Sequence, residues 1–188
     1  MRQTHDSPLL RQFLILALSL LSLVMAGNSP VHAKERERET KIKAAVIFKI
    51  LKFVDWPAAA WPASDTPLLV CLLGRDPLTQ AVADLEGAST QGRALRFTFV
   101  NLPLRQPPLC HALVIAAGES DRLHPLLENI ADLPTLSFAE IPEFARRGGI
   151  VGLVRAKNRF AFEINLRAAK KAGISISAPL LELATIVE

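Results

Sequence analysis

The 188-residue chain has no tyrosine, two tryptophans and two cysteines. So few aromatics argue against a platform for stacking sugars or RNA bases. Two cysteines cannot build a dense disulfide scaffold or a four-ligand zinc knot. No block of like charge is long enough to form an acidic or basic tail. Lys and Arg number 22 against 18 Asp and Glu, a net +4. Without a basic patch interleaved with aromatics, that charge does not point to nucleic acid. Catalytic motifs are missing too: there is no G-x-S-x-G, Walker A, G-x-G-x-x-G or C-x-x-C. His111 and His124 show no metal-ligand spacing with each other or with a cysteine. Neither an enzyme nor a cofactor nor a metal is expected.

What is present begins with an export signal. Arg2 and Arg11 flank a polar start, and Phe13 to Met25 carries no charge. That run is shorter than the roughly 18–20 residues a membrane span needs. It leads into Val31-His32-Ala33, a small-residue cleavage pattern, so residues 1–33 read as a secretory leader. Its removal takes two basic residues and one acidic, leaving 20 and 17 and a net +3. Export brings Cys71 and Cys110 into an oxidising compartment, where an even pair of thiols bonds. His111 beside Cys110 could suggest thiol chemistry, but a structural disulfide is the better reading. The bridge would close a loop of about 40 residues and contribute roughly 4 kcal/mol in the chain-entropy treatment.

Half of the residues are hydrophobic, enough for one globular domain over 34–188. Ile42, Val46, Ile47, Ile50, Leu51, Phe53 and Val54 form an apolar arc at helical spacing, ended by Asp55-Trp56-Pro57. Lys43 projects into that arc, so it either snorkels to an edge or pairs with a carboxylate. Pro67 to Leu73 reads as a buried strand, and Asp76-Pro77 as the start of a helix to about Leu85. Strands are predicted at 94–100, 110–117 and 134–137, with a proline-rich loop over 103–108 and a helix from Gly118 to about Ala131. Ser137 with Glu140 fits a capping box for a further short helix, closed by Gly148-Gly149. Residues 149–155 and 159–166 read as a hairpin turning at 156–158. Asn165 then caps a helix that stops at Gly173, and 178–187 read as a last apolar helix. The fold class is α/β: a single domain with a mixed, mostly parallel sheet, helices on both faces and a C-terminal β-hairpin.

The densest unusual constellation is Lys43, Arg159, Glu163 and Asn165. Period-2 alternation puts Phe160, Phe162 and Ile164 on one strand face and Arg159, Glu163 and Asn165 on the other. One account makes these polar groups the floor of a ligand or partner site. The other is structural and is preferred, because each residue has a local role: Asn165 as a cap, Glu163 paired with Lys43 or Arg159. Trp61, with Trp56 and the loop 103–108, is the candidate partner surface, since Trp is enriched at interface hot spots. Pinning the first helix to the sheet is the simpler role for Trp56.

The runs IKAAVIFKILKFVDWP at 42–57, VCLLGRDPL at 70–78, CHALVIAAGES at 110–120, FARRGGIVGLV at 144–154 and NRFAFEINLRAAKKAGISISAPLLELA at 158–184 resemble YfiR-type periplasmic regulators. The likeness covers nearly the whole chain after the leader. It implies an exported α/β domain, often dimeric, that represses an inner-membrane diguanylate cyclase by binding its periplasmic sensor region. Release of such a repressor raises cyclic di-GMP and promotes biofilm formation, and an outer-membrane lipoprotein can sequester it. The resemblance also supports pairing Cys71 with Cys110. Some members carry further cysteines in the C-terminal half; this chain has none there. Two other classes are open to the residues: a periplasmic small-molecule binder with a crevice near Gly74, Gly118 and Glu163, and a structural envelope protein.

Overall fold

The computed structural model describes residues 30–102, 110–156 and 159–188. Most of the expected leader, the expected loop 103–108 and the expected hairpin turn at Lys157-Asn158 therefore lie outside the described residues. Residues 39–188 form one compact unit.

Helix α1 (Pro30–Ile50) continues as a 3-10 turn over Leu51–Phe53 and then a short strand β1 (Val54–Asp55). The helix thus stops before Asp55-Trp56-Pro57, because Val54 is extended and pairs with Ile176. The chain goes on as β2 (Leu68–Leu73), α2 (Pro77–Ala83), β3 (Ser89–Thr90), β4 (Arg93–Val100) and β5 (Ala112–Ile115). It continues as α3 (Leu123–Ile130), β6 (Leu136–Ala139), β7 (Val151–Ala156), β8 (Arg159–Asn165) and α4 (Leu166–Lys171). Strand β9 (Ser175–Ile176), α5 (Ala178–Leu181) and β10 (Thr185–Val187) complete it.

Eight strands make one sheet in the order β10-β8-β7-β6-β5-β2-β4-β3. Strands β4, β2, β5, β6 and β7 run parallel; β8 returns antiparallel to β7, and β10 lies parallel to β8. The expected mixed, mostly parallel sheet is what forms. Alternation along the central strands splits the core into two layers. Val70, Leu72, Val114, Leu136 and Phe138 face Ile47 and Ile50 of α1 and Leu78 and Val82 of α2. Cys71, Leu73, Leu113 and Ile115 face Leu123, Leu126, Leu127 and Ile130 of α3. Each of those four α3 side chains, buried in full, contributes about 1.5–3 kcal/mol of apolar transfer.

Local chemistry explains several boundaries. Asp76 accepts from the Thr79 backbone N–H while the Thr79 hydroxyl accepts from the Asp76 backbone N–H, a reciprocal box with Pro77 in the first turn. Asn165 accepts from the Ala168 N–H and so caps α4 as its position predicts.

Three expectations fail. Ser137 does not cap a helix: it lies in β6, and its hydroxyl accepts from the Ile150 N–H. Residues 141–148 instead form successive turns that bring the Gly149 N–H onto the Phe144 carbonyl. The last segment is not one helix, because Thr185–Val187 pairs with Glu163–Asn165 of β8. Ile42 and Phe53, placed in the apolar arc, are 46% and 42% exposed.

Candidate functional site

Of the expected polar cluster, Lys43 and Asn165 have separate partners, and Lys43 pairs with Glu39 and Glu140 rather than Glu163. Lys43 is buried on the inner side of α1, where its Nζ donates to Glu140 Oε1 at 2.5 Å and lies 2.8 Å from Glu39 Oε1. Arg155 of β7 pairs with the other oxygen of Glu39. The lysine therefore both reaches an edge and pairs with carboxylates, since Glu39 and Glu140 keep partial exposure. Burial alone would pull the Lys43 ammonium down; the bonds to Glu140 and Glu39 outweigh it and hold the group above its usual value. Bonds from Lys43 and Arg155 hold the Glu39 carboxyl below its usual value. Asn165 is buried elsewhere: besides its cap, its Nδ2 donates to the Ala145 carbonyl at 2.7 Å. Glu163 is half-buried in β8, opposite Gly152 and Thr185. The side chain of Arg159 lies outside the described residues.

The two tryptophans meet at His111. Trp56 is buried and donates through Nε1 to the His111 carbonyl at 2.8 Å, so it is not free to contact a partner. Its tie to the start of β5 is the pinning role expected of it. Trp61 is half-buried, stacked on the His111 ring at 4.1 Å between centroids, with the Arg93 guanidinium 3.9 Å over it. Arg93 also donates to the Ser64 and Thr66 carbonyls, which holds the 57–66 segment against the sheet. His111 Nδ1 accepts from the Leu69 N–H at 3.0 Å, so the neutral ring carries its proton on Nε2 and donates to the Ala60 carbonyl at 3.0 Å. Burial drives the His111 pKa down; the Ala60 bond opposes this, and the Arg93 charge adds to it.

One residue earlier the chain is tied covalently. Cys71 and Cys110 are disulfide-bonded with their Cα atoms 5.7 Å apart, and both are buried. Adjacent residues point to opposite faces, so Cys110 enters the α3 layer while His111 enters the tryptophan layer. The Thr135 hydroxyl adds a bond to the Cys110 carbonyl at 2.8 Å.

Two hollows bear on ligand binding. At the strand ends Glu119 stands against Gly74, while the space beside Gly118 is open. A Cβ on Gly74 would stand 3.0 Å from Glu119 Oε1 and 2.9 Å from the Ala116 Cβ, and Gly74 has φ +76°. A side chain at Gly74 would be strained by the positive φ and crowded by Ala116 and Glu119. The second hollow is a cavity of about 390 Å³ between α3 and α4. Ser137 of β6, Ile150 and Asn165 form its floor, and Arg147, Arg167 and Lys171 line it as well. It lies away from Gly74, Gly118 and Glu163, none of which lines it.

Sequence reasoning missed Glu39, Glu140, Arg155 and Arg93. Each acts on a partner between 27 and 116 residues away, save the contact of Glu39 with Lys43 one helical turn on. No spacing rule reports such pairs. The i,i+4 relation of Glu39 and Lys43 was the one local signal.

A disulfide-tethered α/β domain with a mostly parallel sheet and no His/Cys/Asp/Glu cluster able to hold a metal among the described residues defines the class. Residues 40–185 match the YfiR/HmsC-like family, and the chain belongs to that family. No curated protein matches it significantly.

Proposed function

We propose that the chain is an exported, periplasmic signalling regulator that works by binding rather than by catalysis. Its target is the periplasmic sensor region of an inner-membrane diguanylate cyclase, or a sensor of the same plan. Binding holds the cyclase in its less active state, lowering cyclic di-GMP and biofilm formation. The observation that carries this reading is family membership across residues 40–185. The apolar N-terminal run with its cleavage pattern supports export over residues 1–33, and the buried disulfide suits an oxidising compartment.

A soluble protein shifts a receptor only by preferring one of its states. Trp61, half-buried between His111 and Arg93, is the aromatic we assign to the partner surface. A second copy of the chain and an outer-membrane lipoprotein are further partners this reading carries. The test is a pull-down of the purified chain against the periplasmic sensor regions of the diguanylate cyclases of its own cell, paired with cyclic di-GMP measurement in a deletion strain. Specific binding with a rise in cyclic di-GMP on deletion is expected. No binding, with cyclic di-GMP unchanged on deletion, overturns the proposal.

A further inference from the structure

We infer that the cavity between α3 and α4 is a binding site for a small organic monoanion: a carboxylate-type head group on a compact apolar body. Its volume of about 390 Å³ lies in the ~300–1,000 Å³ range of small-molecule sites. Leu127, Ile130, Ile150 and Ala172 line it and are all buried, which gives an apolar interior.

Polar groups converge on that interior with donors to spare. The Ser137 hydroxyl accepts from the Ile150 N–H, which leaves its own hydrogen to donate. Asn165 commits its carbonyl oxygen to the Ala168 N–H and Nδ2 to the Ala145 carbonyl, and Nδ2 carries a second hydrogen. Both side chains are buried, at 2% and 6% exposure. A buried donor without an acceptor is costly, so the floor favours a ligand that accepts.

The charge on the walls has one dominant sign. Arg147, Arg167 and Lys171 line the cavity against a single carboxylate, Glu128, which lies 3.5 Å from His124. Among the described residues Arg147 donates to the carbonyl and hydroxyl of Ser120, both neutral. Arg167 and Lys171 have long pairs, 3.7 Å to Glu188 and 3.6 Å to Asp132, between side chains more than half exposed. Pairs of that kind contribute little and yield readily to a better acceptor. A cation would meet these three like charges, and a neutral body would leave them unused. The inference stands on the cavity itself and holds whether or not the chain regulates a cyclase.

Octanoate is the probe, and octanamide, of the same length without the charge, is its control. Titrations of the purified chain are followed by calorimetry and by amide shifts at Ser137, Asn165 and Ala168. Octanoate is expected to bind saturably with one-to-one stoichiometry, and octanamide at least tenfold more weakly. Arg147→Gln, on an exposed side chain, should weaken octanoate about tenfold and leave octanamide unchanged. Ala168→Leu, which fills the cavity, should weaken both. Equal affinity for the two probes overturns the inference. So does octanoate binding that neither substitution alters, and so does no saturable binding at millimolar probe.

Discussion

Removing the Cys71–Cys110 bridge tests both the fold and the export argument. The bridge spans a sequence separation of 39 residues. Loop-closure entropy for about 40 residues corresponds to roughly 4 kcal/mol at 25 °C. Residual compactness of the unfolded chain lowers that figure, so Cys71→Ala/Cys110→Ala is expected to lose about 2–4 kcal/mol. For a unit of 150 residues each kcal/mol moves Tm by about 2–4 °C, so a fall of about 5–15 °C should appear. Urea unfolding is the assay, because the slope m should also rise as the uncrosslinked chain expands further on unfolding. Both sulfurs are shielded, with Cys71 0% and Cys110 4% exposed. A phosphine reductant should therefore act on the folded chain only at the rate of unfolding or local opening. A loss below about 1 kcal/mol with unchanged m would refute the loop-entropy reasoning. Reduction within minutes under native conditions would refute the burial.

Three further outcomes follow from the same geometry. Lys43→Met, which removes the partner of Glu140 and one partner of Glu39, should cost about 1–2 kcal/mol in urea unfolding at pH 7, discounted from a fully buried pair because both carboxylates are partly exposed. Since the Glu39 pKa is depressed in the folded state, its contribution is present above the unfolded carboxyl value and lost as pH falls through the folded one, so the wild-type advantage should shrink on acidification. Gly149→Ala puts a Cβ 2.2 Å from the Phe144 ring and should cost about 1–3 kcal/mol by thermal unfolding. The His111 pKa is depressed on folding, so its contribution is full above about pH 6.5 and lost as pH drops below that value; stability should fall between pH 7 and 5 by at most about 1.4 kcal/mol per pH unit, and His111→Gln should flatten the slope.

What the sequence made legible was set by the range of the interactions involved. PLLVCLL reads as a buried strand, Asp76-Pro77 as a helix start and Asn165 as a cap, because each signal is complete within a few residues. The same local logic misled at Ser137 and Glu140. Their spacing fits a capping box, but the serine is drawn into β6 by pairing with β5 and spends its oxygen on Ile150, while Glu140 turns to Lys43. The final helix failed for a related reason. Thr185, Ile186 and Val187 are all β-branched, and the open edge of β8 decides in favour of a strand. For the candidate site, the individual residues were legible and their grouping was not. Lys43 and Asn165 both proved to be buried polar positions, Lys43 on α1 paired with two carboxylates and Asn165 at the head of α4 with one amide hydrogen left over. The cavity had no sequence signal, since it arises where α3 and α4 leave the sheet uncovered between them.

The dipeptide Cys110-His111 ties several elements of the fold together. Cys110 is tied to β2 through the disulfide and accepts from Thr135 through its carbonyl. His111 is tied to β2 through Leu69, to the segment before β2 through Ala60, to Trp56 through its carbonyl and to β6 through the Leu136 N–H. These bonds reach both layers of the core from two adjacent residues, because strand alternation turns one side chain up and the next down. Segments that bind partners vary most freely when the scaffold beneath them is fixed. Under the proposed function, a partner held at Trp61 would load β2 and β6 through His111, on which Trp61 stacks. The cavity on the other side of β6 shares that strand through Ser137. If both proposals hold, the ligand would touch β6 at Ser137 and the partner would reach it through His111, whose carbonyl accepts from the Leu136 N–H.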